Sequence, residues 1–387
     1  MNKLLTSAAL LCCALPFASC SDSNDTPSDP SALSEKEATL KNAAEAYVDH
    51  TVLPTYSSMA DHAIELADLC AAMQEKHAAG TLTPADIEAA GEAWKASRKS
   101  WELSEAFLFG PAANHNIDPH IDSWPLDKAS MDDLLANIRD GRKWSLTNNG
   151  GYGLIGFHAI EYMLYELADN GYRSVTHTTS YAPEELTYLV AVAEDLRDQC
   201  VLLEACWAGT DNISDTKQQI LEDAELDYGE EYGWEMKHAR EAGSRYKTFQ
   251  DVAEEIISGC QDIADEVGNT KIGRPHLAAS EEDTDYIESP YSLNSIEDFA
   301  DNIISVRNAY CGSIAGDASV SDYVRAVDPD LDSRVRQGIE NAIAAIRAIP
   351  EPFTKTATGS EAANAMKVCG SDLVDLLGEA RIAVTRY

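Results

Sequence analysis

The periodicity of this chain is helical almost throughout. From about Ser34 onward Ala, Leu, Glu and Ile recur at spacings of three and four, and Gly and Pro fall between the segments. That spacing lays an apolar stripe along one face of an α-helix, whereas a half-buried strand needs strict alternation, which the chain lacks. The expectation is an all-α fold. A first helical segment spans about Glu35 to Ala79, with Pro54 kinking or dividing it. Thr83-Pro84, a cap followed by Pro at the first helical position, opens a helix to about Phe109. An irregular stretch over 110–127 follows, then helices near 130–140, 153–168, 182–208, 214–223, 246–267, 295–310, 331–349 and 360–382, with a long acidic loop over 268–294. Helices joined by short loops suit two packed bundles, divided here as 35–175 and 176–387.

The N-terminus reads as export rather than structure. Lys3 precedes an apolar run from Leu4 to Phe17, and Ala18-Ser19 lies directly before Cys20. The junction resembles a bacterial lipobox, so residues 1–20 are expected to be a lipoprotein signal, with lipid on Cys20 holding the mature chain to a membrane. Residues 21–34 have tether composition, and their acidic start resembles the surface-export signal of some diderm bacteria. Of 9 Cys, two leave with the signal and one carries lipid, leaving 9 − 3 = 6 that pair as disulfides or pack as small core residues.

The balance of 29 Lys+Arg against 66 Asp+Glu gives a net charge of −37, which argues against a nucleic-acid partner. Gly151-Tyr-Gly153-Leu-Ile-Gly156 matches a dinucleotide fingerprint in letters, but no βαβ pattern surrounds it, so no nucleotide is expected.

The segment most informative about chemistry is Gly156-Phe-His158-Ala-Ile-Glu161, set in an otherwise apolar helix. Residues at i and i+3 share a helix face, so the imidazole and carboxylate project together, as metal ligands do in helical bundles. The competing reading is a His-Glu pair satisfied within the core. A second stripe places Trp94, Arg98, Trp101, Glu102 and Glu105 on one face, with Glu105 a candidate ligand and Arg98 an anion contact or carboxylate clamp. A structural Arg-Glu network explains Arg98 and Glu102 equally well. His115, Asp118, His120 and Asp122 form a dense ligand set in a loop, where Asp118 also suits a turn. Ser295 and Asp298 are spaced as N-cap and N3 of a capping box.

Gly156-x-His158-x-x-Glu161 resembles the Gly-x-His-x-x-Glu motif of imelysin-like proteins, also described as insulin-cleaving membrane metalloproteases. The segments 101–111, Asp122-Ser-Trp-Pro125 and Ser289-Pro-Tyr-Ser292 are similar to segments of that family, in the expected order. The resemblance implies two helical bundles with a site between them, an outer-membrane or periplasmic setting, and partners in bacterial iron uptake. It carries Gly156, His158 and Glu161 over as motif residues, with Glu105, Asp122 and Ser292 in matching segments. The expected cofactor is a divalent metal, iron favoured and zinc the alternative, held by His158, Glu161 and Glu105. Metal-assisted peptide hydrolysis is the rival activity. A third reading is a glycan or protein binder using an aromatic groove around Trp94, Trp101 and Trp124.

Overall fold

The computed structural model describes residues 33–146, 151–165 and 180–386, so the expected signal, Cys20 and most of the tether lie outside the described residues. Among the described residues every regular element is helical. None of these helices is long and apolar enough to cross a membrane.

Pro54 divides the first segment as its missing N–H requires. A helix over Glu35–Ala46 passes into a π-helical turn, Tyr47–Val52, before Leu53–Ala78 begins with Pro54 in its first turn. The widened turn, closed by the Leu53 N–H on the Val48 carbonyl, absorbs the donor that proline lacks. At Pro84–Glu102 the Asp86 carboxylate accepts from the Thr83 N–H at 2.9 Å and its hydroxyl at 2.7 Å, which fixes the helix start. This helix stops at Glu102 rather than near Phe109. The Ser104 hydroxyl takes the Trp101 carbonyl at 2.7 Å and the Ala106 N–H turns to Ser305, leaving a single 3₁₀ turn over Glu105–Phe107.

The acidic stretch 268–294 is not the open loop its composition suggests. Glu266–Ile272 continues the Phe249–Asp265 helix as a π-helical turn, and short helices follow at Gly273–His276 and Glu281–Asp285. Tight packing holds the turn, since a Cβ on Gly268 would lie 2.2 Å from the Gly370 nitrogen.

Packing crosses the division expected at 175/176. The Pro183–Ala208 helix lies along Leu53–Ala78, which also packs on Pro84–Glu102, and Ser295–Cys311 touches Pro84–Glu102. Glu35–Tyr387 is accordingly one compact unit. All six described cysteines, Cys70, Cys200, Cys206, Cys260, Cys311 and Cys369, are free thiols, and all but Cys311 are buried. The five buried ones serve as core residues.

Candidate metal centre

The buried face of Pro84–Glu102 carries Trp94, Arg98, Trp101 and Glu102. The fully buried Arg98 guanidinium is ringed by carboxylates: Nη2 lies 2.5 Å from Glu102 and also pairs with Glu288, Nη1 lies 2.6 Å from Asp122, and Nε 3.5 Å from Asp298. Lys271, equally buried, points Nζ at Glu288 (3.1 Å), Glu105 (3.4 Å) and Glu102 (3.9 Å). Two cations therefore face five buried carboxylates, Glu102, Glu105, Asp122, Glu288 and Asp298. Such an imbalance needs relief from protons or a further cation. Burial pushes Glu102 and Glu105 well above the ordinary carboxylate range and Asp298 to about 6. Asp122 goes the other way, because Arg98 and His158 outweigh its burial.

His158 and Glu161 stand one turn apart on Gly156–Tyr165. Oε1 of Glu161 accepts from the Tyr291 N–H (3.0 Å), the Ser292 N–H (2.7 Å) and the Ser292 hydroxyl (2.8 Å), while Oε2 lies 3.1 Å from His158 Nδ1. A carboxylate accepts, so we assign the proton to Nδ1. That leaves Nε2 facing Asp122 Oδ1 at 2.9 Å, close in distance but not directed as a hydrogen bond. Two acceptors this close repel; the Arg98 guanidinium, 2.6 Å from the same Asp122 oxygen, offsets part of this, and a positive charge at Nε2 itself would turn the contact attractive. A second proton on the ring is one answer, since Asp122 and Glu161 overcome the effect of burial and bring His158 up to about 9. A metal ion is the other.

Donor atoms of Asp122, His158 and Glu288 fall within 4.8 Å of one another, as do those of Glu102, Glu105 and Asp122, and all are buried. Oε2 of Glu288 is buried with no hydrogen bond. The Trp101 indole N–H holds the second oxygen of Asp122 at 2.8 Å, so that carboxylate is fixed in direction. Gly156 begins its helix at φ +75°, and a Cβ there would sit 2.2 Å from the Ile121 carbonyl oxygen. Only glycine lets the chain before Asp122 lie this close to the His158 helix. A cleft of about 620 Å³, with Trp124, Lys128, Asp285, Ile287 and Tyr291 in its walls, reaches His158.

The imelysin family model matches residues 52–379. The chain belongs to the imelysin family. This family member is 27% identical over 327 residues to iron-regulated protein A of Synechococcus elongatus, covering 84% of this chain and 80% of that one. A structure assigned as an iron-regulated protein A precursor of Parabacteroides distasonis is 28% identical, with a TM-score of 0.75 over 92% of this chain and 98% of the other. An imelysin-like protein of Psychrobacter arcticum shares the fold at 15% identity, with a TM-score of 0.57 over 92% and 95% of the two chains.

In this imelysin, His158, Asp122, Arg98, Glu161 and Ser292 meet in one network, whereas Glu105 joins it through Lys271 rather than through His158. Glu161 belongs to neither cluster of donor atoms, because the Tyr291–Ser292 backbone and His158 engage it. The ligand-dense loop divides: His120 pairs with Asp195 at 2.9 Å and His115 with Glu230 at 3.2 Å, and only Asp122 enters the cluster. Trp94 and Trp101 are completely buried, which leaves Trp124 alone of the three at the cleft. Asp298 is not an N3 cap to Ser295. Asn294 precedes the helix, Ser295 donates to the Glu288 carbonyl at 2.5 Å, and Asp298 turns inward to Arg98, Ser289 and Asn294. Sequence reading missed Lys271 and Glu288. Glu288 stands directly before the Ser289-Pro-Tyr-Ser292 segment, the one signal that pointed toward it, whereas Lys271 has none.

Proposed function

We propose that this imelysin-family chain binds a divalent metal ion through Asp122, His158 and Glu288, with Glu161 orienting His158. The reading rests on one observation above others: His158 spends Nδ1 on Glu161 and turns Nε2 to the carboxylate of Asp122 at 2.9 Å, beside a Glu288 oxygen that has no hydrogen bond. One imidazole and two carboxylates suit iron, zinc or manganese. The names of the Synechococcus and Parabacteroides relatives favour an iron-related role. With its export-type N-terminus, the chain is read as a cell-envelope lipoprotein anchored through Cys20 to the outer membrane and working with iron-uptake partners.

The test is metal analysis and calorimetry, with Zn²⁺ and anaerobic Fe²⁺, of protein purified without chelators and of an Asp122→Asn, His158→Ala variant. The expected result is a metal-loaded wild type and an empty variant. Equal and negligible metal in both would sink the reading. The cleft at His158 favours one second reading, metal-assisted hydrolysis of a peptide admitted there. It predicts that the metal-loaded wild type cleaves unfolded protein substrates and that the double variant does not.

A further inference from the structure

We propose that Lys271 is a tethered cation, filling one of two adjacent carboxylate-walled positions so that the chain accepts one divalent ion where its carboxylates alone would accept two. The inference rests on the metal reading above and assigns a role to a residue which that reading does not use.

Two groups of donor atoms adjoin and share Asp122: Asp122, His158 and Glu288, and Glu102, Glu105 and Asp122. The ammonium of Lys271 contacts two of the three residues of the second group, Glu105 and Glu102, and the Glu288 Oε1 of the first. The first group keeps a Glu288 oxygen with no hydrogen bond and an imidazole nitrogen turned to Asp122. Arg98 meets Asp122 and the Glu288 Oε1 of the first group, but His158 Nε2 and Glu288 Oε2 are left there without a hydrogen bond, whereas the ammonium stands directly against both glutamates of the second.

Lys271 is held there by its backbone. It belongs to the π-helical turn Glu266–Ile272, and that turn is pinned where Gly268 meets Gly370 too closely for any Cβ. The neighbouring Asn269 amide donates to Asp265 at 2.7 Å and to the Gly370 carbonyl at 3.2 Å. The face of Trp124 lies 5.3 Å from Nζ on the cleft side. A long side chain free to rotate would be a poor stand-in for a metal, but one fixed by a close helix crossing stays in place. A charge this near also weakens binding of an ion in the first group, because like charges repel strongly where water is excluded.

The experiment compares wild type, Lys271→Met, Glu105→Gln and the double variant by calorimetry and metal analysis, using Zn²⁺ and anaerobic Fe²⁺. Wild type is expected to bind one ion. Lys271→Met should bind two, the first about tenfold or more tighter, since a neighbouring positive charge has been removed. The double variant, which removes one carboxylate with the ammonium, should return to one. Glu105→Gln alone should still hold its single ion, more weakly than wild type because a nearby negative charge has been removed, and this arm decides the matter if Lys271→Met does not fold. Unchanged stoichiometry and affinity in Lys271→Met, or loss of the wild-type ion in Glu105→Gln, overturns the proposal. A wild type that binds nothing defeats the metal reading instead. Lys271 keeps its role in that case only if Lys271→Met gains an ion.

Discussion

Nδ1 of His158 and Oε2 of Glu161 lie 3.1 Å apart on successive turns of one helix, and the other oxygen of Glu161 is fixed by the backbone of Tyr291 and Ser292. The carboxylate therefore joins the motif helix to the segment that begins at Glu288. Its work is to set the imidazole's tautomer and aim, which in metal sites is the task of the outer partner. Glu161→Gln is expected to weaken Zn²⁺ or Fe²⁺ binding by about 10–100-fold without abolishing it. Calorimetry gives the answer. Complete loss, equal to that of His158→Ala, would show that Glu161 is itself a ligand.

Arg98 is the hub of the buried network, with carboxylates of Glu102, Asp122, Glu288 and Asp298 about it. Replacing it with Met keeps much of the volume and removes the charge. Breaking a buried ionic cluster from one side typically destabilises by about 3–5 kcal/mol, and that loss is expected in urea denaturation of Arg98→Met. A loss below ~1 kcal/mol would mean that protons already neutralise these carboxylates in the folded state.

Gly156→Ala tests the close approach of two segments. The residue holds φ +75°, and its new methyl would meet the Ile121 carbonyl oxygen. The backbone alone is expected to lose about 1–3 kcal/mol. Because Asp122 follows Ile121, metal affinity should fall as well. Wild-type denaturation and binding in this variant would show that the chain before Asp122 moves aside freely.

The pH dependence of the metal-free protein follows from groups that hold protons more tightly when folded. Burial raises Asp118 to about 7, helped by Asp122 and Glu266, and raises Asp301 to about 6. Their contribution to stability is full below ~3.9, the unfolded value, and is lost as pH rises through 6 and 7. His158, at about 9 despite burial, has the same sign from ~6.5 upward. Asp122 is depressed and opposes this only in acid, where its contribution is lost as pH falls. At ~1.4 kcal/mol per pH unit of displacement, stability should fall by several kcal/mol between about pH 5 and pH 9. Chemical denaturation in chelator at both pH values measures it. A midpoint as high at pH 9 as at pH 5 contradicts the assignment.

How much of the site was legible depends on the range over which each residue acts. Thr83-Pro84 and Pro54 act within a turn, and their effects on the helices could be read from adjacent letters. His158 and Glu161 share a helix face at i, i+3, so their pairing was also readable. Ser104 stopping its helix at Glu102 was not, since the Ala106 N–H that would continue it is taken by Ser305, far along the chain. Asp298 looked like a cap because a capping box is a local pattern, but a buried arginine supplied a stronger partner.

The sequence by itself determined the helical class and the motif helix, because each is written in periodicity or composition over a few consecutive residues. Only the tertiary structure decided which carboxylates lie around Arg98, that Glu161 serves His158 through the Tyr291–Ser292 backbone, and that Lys271 enters the cluster from a stretch that reads as acidic loop. The reason is physical. The energy of a buried charge is set by neighbours a few ångströms away, and here those neighbours come from five separate stretches of chain.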